Sequence, residues 1–105
     1  MKDKKKVGFA VVGLGAIAQG AVLPAFRHAK RARLVALVGR DREKNRKLAR
    51  KFRAESVYNA DEFGACLENP SVDAVYLATP QSEHLSATIA AARAGKHVLW
   101  KSRLR

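Results

Sequence analysis

The stretch VGFAVVGLGAIA, residues 7–18, decides the fold of this chain. Val7–Val12 is a compact apolar run of the kind that forms a buried β-strand. The spacing G-x-G-x-x-A follows in residues 13–18, and Gly15–Lys30 has helical character, with Ile17 and Phe26 among its apolar positions. A strand, a glycine-rich turn and a helix in this order predict the opening unit of a doubly wound α/β sheet.

The remaining residues continue this alternation of short apolar runs and helix-like runs. Further strands are predicted at Leu34–Val38, Ser56–Tyr58, Val72–Ala78 and His97–Trp100, and further helices at Asp41–Arg53, Asp61–Glu68 and Ser82–Ala94. Helical crossovers between apolar strands predict a Rossmann-type parallel sheet with strand order 3-2-1-4-5. We therefore expect one domain over residues 1–105, with a basic tail at 1–6 and an atypical tail at 101–105.

Single residues predict some helix boundaries, and apolar spacing predicts one helix face. Asp61 is the predicted N-cap of the third helix, and Gly95 is the predicted end of the fourth. Leu85, Ile89 and Ala92 fall on one apolar stripe of the fourth helix.

Composition and charge narrow the class of protein. The chain has 105 residues, 48% of them hydrophobic, which favours a folded domain over a disordered chain. Its formal net charge of +12 favours anionic partners such as nucleotides. Cys66 is the single cysteine, so no internal disulfide forms, and a cytoplasmic location is expected.

The glycine-rich turn has the chemistry of a dinucleotide site. Gly13 permits the tight turn, Gly15 lets a pyrophosphate approach the backbone, and Ala18 lets the helix pack closely on the strand. Ala16 and Ile17 stand at the helix N-terminus, where free N–H groups and the helix dipole favour a phosphate. A glycine-rich turn without a ligand is the alternative.

The end of the second strand predicts which cofactor binds. An NAD site usually places an acidic residue about 20 residues beyond the glycines, where it binds the ribose 2′-hydroxyl. Gly39 occupies that position here, and Arg40 follows it. A small residue leaves room for a 2′-phosphate that a guanidinium can bind, so NADP is preferred over NAD. If Asp41 faces the ribose, NAD binding stays an alternative; otherwise Asp41 caps the next helix.

Three further features of the sequence are the stretches VVGLGAIA at 11–18, NPSVDAVYLATPQSEH at 69–84 and AGKHVL at 94–99. Together they resemble the glucose–fructose oxidoreductase / inositol dehydrogenase / MocA (Gfo/Idh/MocA) family. The resemblance implies that Thr79, Pro80 and Gln81 lie along the nicotinamide side of the cofactor. It also makes His84 a weak candidate for a catalytic residue, with a role in helix packing as the alternative. The implied activity is NAD(P)-dependent oxidation or reduction of sugars or polyols.

The chain departs from the family pattern after Leu99. The family continues with Glu-Lys-Pro, whereas this chain reads Lys-Ser-Arg at 101–103, and Lys101 is one position too early to take the catalytic role. A single-base deletion and a deliberate excision are two explanations of this tail. The family's substrate domain is expected to be absent, which predicts cofactor binding with little turnover. Self-association through an exposed sheet edge or apolar face is also expected.

Three other interpretations stay open. Lys2–Lys6 followed by an apolar run resembles a targeting or membrane segment, although its glycines and Pro24 oppose this. A nucleotide-sensing module without catalysis shares every cofactor feature. The basic helix within 40–53 suits nucleic acid, yet its apolar face and the lack of an aromatic platform favour a solvated surface. The histidines lie in separate segments, so no metal site is predicted.

Overall fold

The computed structural model describes residues 6–100, and within them a five-stranded parallel sheet. The strands are β1 (Val7–Val12), β2 (Ala32–Gly39), β3 (Ser56–Asn59), β4 (Ala74–Leu77) and β5 (His97–Trp100). Their order is β3-β2-β1-β4-β5, and each neighbouring pair is parallel. This confirms the predicted Rossmann-type sheet. Most of the basic tail and all of the atypical tail lie outside the described residues.

Helical segments cover both faces of the sheet. They are α1 (residues 16–25), α2 (Arg42–Phe52), α3 (Ala60–Glu62 as a 3-10 turn, then Phe63–Leu67) and α4 (Gln81–Glu83 as a 3-10 turn, then His84–Arg93). One apolar core joins α1 and α2 to the sheet through Ala18, Leu23 and Leu48. A second core joins α3 and α4 to the opposite face through Cys66 and Ala91. Two covered faces explain why β2 is buried from Leu34 to Gly39.

The first helix is shorter and wider than predicted. It ends at Ala25 instead of Lys30, and Ala18–Val22 forms a π-helical turn. Pro24 explains this, because it has no N–H to bond the carbonyl of Gly20. The N–H of Leu23 instead reaches the carbonyl of Ala18, five residues back. The apolar run 7–26 is therefore a strand, a turn and a short helix.

The predicted start of the third helix was wrong. The segment begins one residue after Asn59, whose backbone N–H donates to the Glu62 carboxylate over 2.8 Å. Asp61 lies inside the 3-10 turn and does not cap it. At the end of α4, Gly95 has a φ of +78°, and the N–H groups of Gly95 and Lys96 bond the carbonyls of Ala92 and Ala91. This is the glycine-terminated helix end that the sequence predicts.

The apolar stripe of α4 does not face the sheet. Leu85 is 72% exposed and Ile89 is 43% exposed, and Ala92 is exposed as well. The helix instead packs on the core with Ala87, Ala90 and Ala91. Small side chains let α4 approach the strands closely, which leaves the larger side chains outside.

The bounds of β2, β3 and β4 differ by one or two residues from those predicted. β2 begins at Ala32, because Ala32 and Arg33 pair with Val7 and Gly8 of β1. β4 covers Ala74–Leu77 instead of Val72–Ala78. Both changes reflect pairing across the sheet, which a local pattern does not contain.

Two further properties concern the described part of the chain. None of its helices is long and apolar enough to cross a membrane, and no group of three or more potential metal-binding side chains comes together. Burial raises the pKa of the Cys66 thiol to about 11, with Lys96 acting weakly in the opposite direction. Cys66 is therefore a neutral core side chain at physiological pH.

Candidate functional site

An open cleft of about 550 Å³ lies at the carboxyl ends of β1, β2 and β4. This is where the strand order reverses, and it is the usual ligand position in an open α/β sheet. Its volume is in the range of sites for small molecules and cofactors. The lining residues are Val12, Gly13, Leu14, Gly15, Val38, Gly39, Arg40, Asp41, Lys44, Asn45, Ala60, Phe63, Ala78, Thr79, Pro80, Glu83, Ser86 and Ala87.

Gly13 forms the tight turn that the sequence predicts. Its φ is +91°, in the left-handed region that favours glycine. A Cβ built there would lie 2.7 Å from Cγ2 of Thr79 and 3.0 Å from the backbone of Ala78. The N–H of Gly13 donates to the carbonyl of Val38 over 2.9 Å. The turn is thus held between the ends of β2 and β4, with no space for a side chain.

Gly15 differs from Gly13, because it faces open space. A Cβ at Gly15 would meet nothing within 4 Å, although the residue lines the cleft. Ala16 and Ile17 begin α1 and are exposed, but their side chains do not line the cleft. Ala18 is fully buried in the core between α1 and the sheet, as its predicted packing role requires.

The end of β2 is held by a buried amide. Asn45 of α2 is 2% exposed, and its Nδ2 donates to the carbonyls of Gly39 (3.0 Å) and Tyr58 (3.4 Å). Its Oδ1 is buried without a hydrogen-bond partner among the described residues. A Cβ at Gly39 would lie 2.5 Å from this oxygen and 2.9 Å from Cδ1 of Leu14. Neither an acidic residue nor any other side chain fits at position 39 unless these neighbours move.

Arg40 and Glu83 form an ion pair across the cleft. The Arg40 guanidinium donates to Oε2 of Glu83 over 3.1 Å, and the two side chains are 80% and 42% exposed. Arg40 follows β2, whereas Glu83 lies in the turn that begins α4. Because β2 and β4 flank β1, the pair spans the carboxyl end of β1.

Asp41 is the N-cap of α2. Its Oδ1 accepts from the backbone N–H of Lys44 over 3.1 Å. This is the capping role that the sequence analysis left as the alternative to ribose binding. Lys44 lines the cleft with Asp41, so the described lining has two cationic and two carboxylate side chains.

Only some of the residues after β4 that were predicted to bind the cofactor line the cleft. Thr79 and Pro80 line it, and Oγ1 of Thr79 is buried without a partner among the described residues. Gln81 is exposed and outside the lining. His84 is also outside the lining. Its Nε2 donates to the carbonyl of Thr79 over 2.8 Å, and its ring lies 5.7 Å from that of Trp100. Here His84 holds the loop, as a packing histidine would.

Asn45 and Glu83 are polar residues of the cleft that were not identified from the sequence. Asn45 lies on the same face of α2 as Leu48, Ala49 and Phe52, so a polar residue on an apolar stripe was the available signal. Glu83 is 43 residues from Arg40, and no local pattern connects them.

The cleft fits an extended anionic ligand such as a dinucleotide. The turn at Gly13 and the open backbone at Gly15 leave a cradle at the N-terminus of α1, where phosphates bind favourably. Asn45 and Thr79, each with a buried unpartnered side-chain oxygen among the described residues, line the same cleft, and so does the cationic Arg40. These features position a bound molecule, but no described side chain here forms a nucleophile–base pair.

Comparison with known proteins agrees with this interpretation. The model of the Gfo/Idh/MocA family, described as an oxidoreductase family with an NAD-binding Rossmann fold, matches residues 7–101. An aldose–aldose oxidoreductase from Caulobacter crescentus has a TM-score of 0.84 and 38% identity, over 90% of this chain and 29% of its own. A 3-ketoreductase from Actinomadura kijaniata, in complex with TDP-benzene and NADP, has a TM-score of 0.83 and 31% identity, over 94% of this chain and 31% of its own.

A curated relative leads to the same family. The dTDP-3,4-didehydro-2,6-dideoxy-alpha-D-glucose 3-reductase of Streptomyces violaceoruber is 40% identical over 85% of this chain and 25% of its own length. The chain thus spans between a quarter and a third of these relatives. Because the family model covers nearly the whole chain, and the fold and cleft agree with it, this protein belongs to the Gfo/Idh/MocA oxidoreductase family and forms its NAD(P)-binding Rossmann domain.

Proposed function

We propose that this chain binds NADP(H) in preference to NAD(H), as the cofactor domain of an oxidoreductase acting on sugars or related polyols. The observation that carries the cofactor preference is the end of β2. An acidic residue of an NAD site at position 39 would require the side chains of Asn45 and Leu14 to move, and the exposed Arg40 follows Gly39. Asp41 already caps α2, which supports the same choice. The Actinomadura relative in complex with NADP agrees with it.

The sugar-related substrate class comes from the relatives. The Caulobacter protein is named as an aldose–aldose oxidoreductase and the Streptomyces protein as a reductase of a dTDP-linked sugar. A nicotinamide cofactor supplies hydride chemistry when it is bound. In this chain, the residues at the glycine turn, Arg40 and Thr79 would bind and orient it. We propose that the chain alone has little turnover, because a substrate must also be held against the nicotinamide.

Replacing Arg40 by alanine tests the cofactor preference. We expect the dissociation constant for NADPH to rise about tenfold or more, because an arginine–phosphate contact is a charge-assisted hydrogen bond. The constant for NADH should change little. Isothermal titration calorimetry with both cofactors measures the ratio.

Arg50→Ala is the matched control for this experiment, because it removes the same charge from an exposed position of α2 outside the cleft. It should leave the NADPH/NADH ratio unchanged. An equal effect of both variants would mean that only overall charge matters, and it would contradict a specific role for Arg40.

Self-association is a further part of the proposal. Leu85, Ile89, Leu99 and Trp100 are large apolar side chains that are all more than two-fifths exposed, and β5 is an edge strand of the described sheet. Exposed apolar surface and an unpaired edge both favour association.

Leu85→Lys should reduce this association, because a charge would have to be buried in the contact. Sedimentation velocity over a range of concentrations measures it, and NADPH affinity is the control that the fold is intact. A wild-type chain that stays monomeric at all concentrations would contradict the proposal.

A further inference from the structure

The ion pair of Arg40 and Glu83 has a position that a structural salt bridge does not need. Both side chains line the cleft; Arg40 follows β2 and Glu83 lies in the turn that begins α4, on the two sides of β1. Arg40 is largely exposed and Glu83 is partly exposed, and ion pairs in contact with solvent add little to stability. Its removal should therefore leave the fold intact, so its effect on ligands can be measured separately.

Glu83 holds the group on which the proposed 2′-phosphate recognition depends. Its Oε2 lies 3.1 Å from Nη2 of Arg40. A phosphate monoester and a carboxylate are both anionic acceptors, and both bind an arginine fork in the same way. A 2′-phosphate must therefore displace Glu83 from Arg40, or share Arg40 with a neighbouring like charge.

The other charged side chains of the cleft favour this competition between the Glu83 carboxylate and a 2′-phosphate for Arg40. The described lining of the cleft contains Arg40 and Lys44 as cations, and Asp41 and Glu83 as carboxylates. Asp41 caps the N-terminus of α2, whereas Glu83 forms its ion pair with Arg40. Neutralising Glu83 would leave the lining with a net positive charge and a free guanidinium.

We propose that Glu83 is a specificity-determining residue that competes with the 2′-phosphate for Arg40. A cofactor with a 2′-hydroxyl leaves the pair intact, whereas a 2′-phosphorylated cofactor has to open it or share Arg40 with the Glu83 carboxylate. Glu83 thus weakens the binding of 2′-phosphorylated ligands and moderates the preference for NADP. This inference rests on the proposed function, because it requires Arg40 to bind the 2′-phosphate.

The test uses the intact chain and two small probes, adenosine 2′,5′-bisphosphate and adenosine 5′-monophosphate, titrated by calorimetry at low salt. For Glu83→Gln we expect about threefold to fivefold tighter binding of the bisphosphate, the size expected from removing one partly exposed ionic competitor. Binding of the monophosphate should stay within about twofold, because the probe lacks the competing group. The gain should shrink as salt rises.

Glu55→Gln is the matched control. Glu55 is an exposed carboxylate that pairs with Arg33 outside the cleft, so this change removes the same charge elsewhere. It should leave both probes unaffected. In the double variant Arg40→Ala/Glu83→Gln the gain from Glu83→Gln should disappear, because the two groups act through one contact.

Two results would overturn the inference. One is equal effects of Glu83→Gln and Glu55→Gln, and the other is equal tightening of both probes by Glu83→Gln. If Arg40→Ala still removes the preference for the bisphosphate, the inference alone fails and the proposed function stands. If wild type and Arg40→Ala bind the two probes with the same ratio, the proposed cofactor preference fails as well.

Discussion

Gly15→Ala is expected to weaken NADPH binding at least tenfold without lowering the stability of the fold. The residue lines the cleft, and a Cβ there meets no protein atom within 4 Å, so the fold accepts the methyl group. The added methyl would stand where a pyrophosphate approaches the backbone at the start of α1. A tenfold loss corresponds to about 1.4 kcal/mol of binding free energy. Calorimetric titration and urea denaturation measure the two quantities on the same sample.

Gly20→Ala is the matched control for this prediction. Gly20 is exposed in the π-helical part of α1, has open space around its Cβ position, and lies outside the cleft. Alanine there should raise the free energy of unfolding by about 0.5–1 kcal/mol, because glycine loses more conformational entropy in a helix. It should not change NADPH affinity. If Gly15→Ala bound NADPH as well as Gly20→Ala, the phosphates would not lie against this turn.

Gly8→Ala is expected to destabilise the fold by about 2–3 kcal/mol, as overpacking of a dense core does. A Cβ at Gly8 would lie 2.1 Å from the carbonyl oxygen of Ser71 and 2.8 Å from Cγ2 of Val35. The Ser71 carbonyl cannot easily retreat. The N–H of Val72 binds the carbonyl of Asn69, and Asp73 binds both the N–H and the carbonyl of Gly8 over 2.7 Å. Urea denaturation followed by circular dichroism measures the loss.

Gly64→Ala is the control for the effect of adding a methyl group to the fold. Gly64 is an exposed residue of α3 with nothing within 4 Å of its Cβ position. The urea midpoint of the Gly64→Ala variant should equal that of the wild type or lie slightly above it. Equal midpoints for Gly8→Ala and Gly64→Ala would mean that the approach of Ser71 to β1 is looser than the structure shows.

The topology was predictable because each element has a strong local signal. Val7–Val12 was predicted with its observed bounds, and the strand order follows from alternating strands and helices. Gly95 likewise ends α4 as expected, since the left-handed φ there favours glycine. These features depend on residues that are close together in the chain.

The errors arose where tertiary packing decides the outcome. Leu85 and Ile89 form the apolar stripe of the helical pattern, whereas alanines make the actual contact with the sheet, and the pattern alone does not distinguish the two faces. Asn45 fixes the end of β2 from a position inside an apolar stripe. The contact between Arg40 and Glu83 joins two loops that the sheet brings together.

The candidate site was predictable in part, because some of its residues belong to a short local motif. The glycine turn, Gly39 and Arg40 carry their roles in a short motif, and the structure places them around one cleft. Gln81 and His84 were inferred from the family resemblance, and their side chains lie outside the lining. His84 acts on the site through the carbonyl of Thr79. Which residues contact a bound cofactor stays a prediction.

The central claim is that the cleft binds a nicotinamide dinucleotide and prefers the 2′-phosphorylated form. Its most direct test is calorimetric titration of the unmodified chain, with its fold verified by circular dichroism, against NADPH and NADH. We expect one binding site and a dissociation constant for NADPH about tenfold lower than that for NADH, the size of one arginine–phosphate contact. A folded chain that binds neither cofactor, or binds NADH as tightly as NADPH, would contradict it.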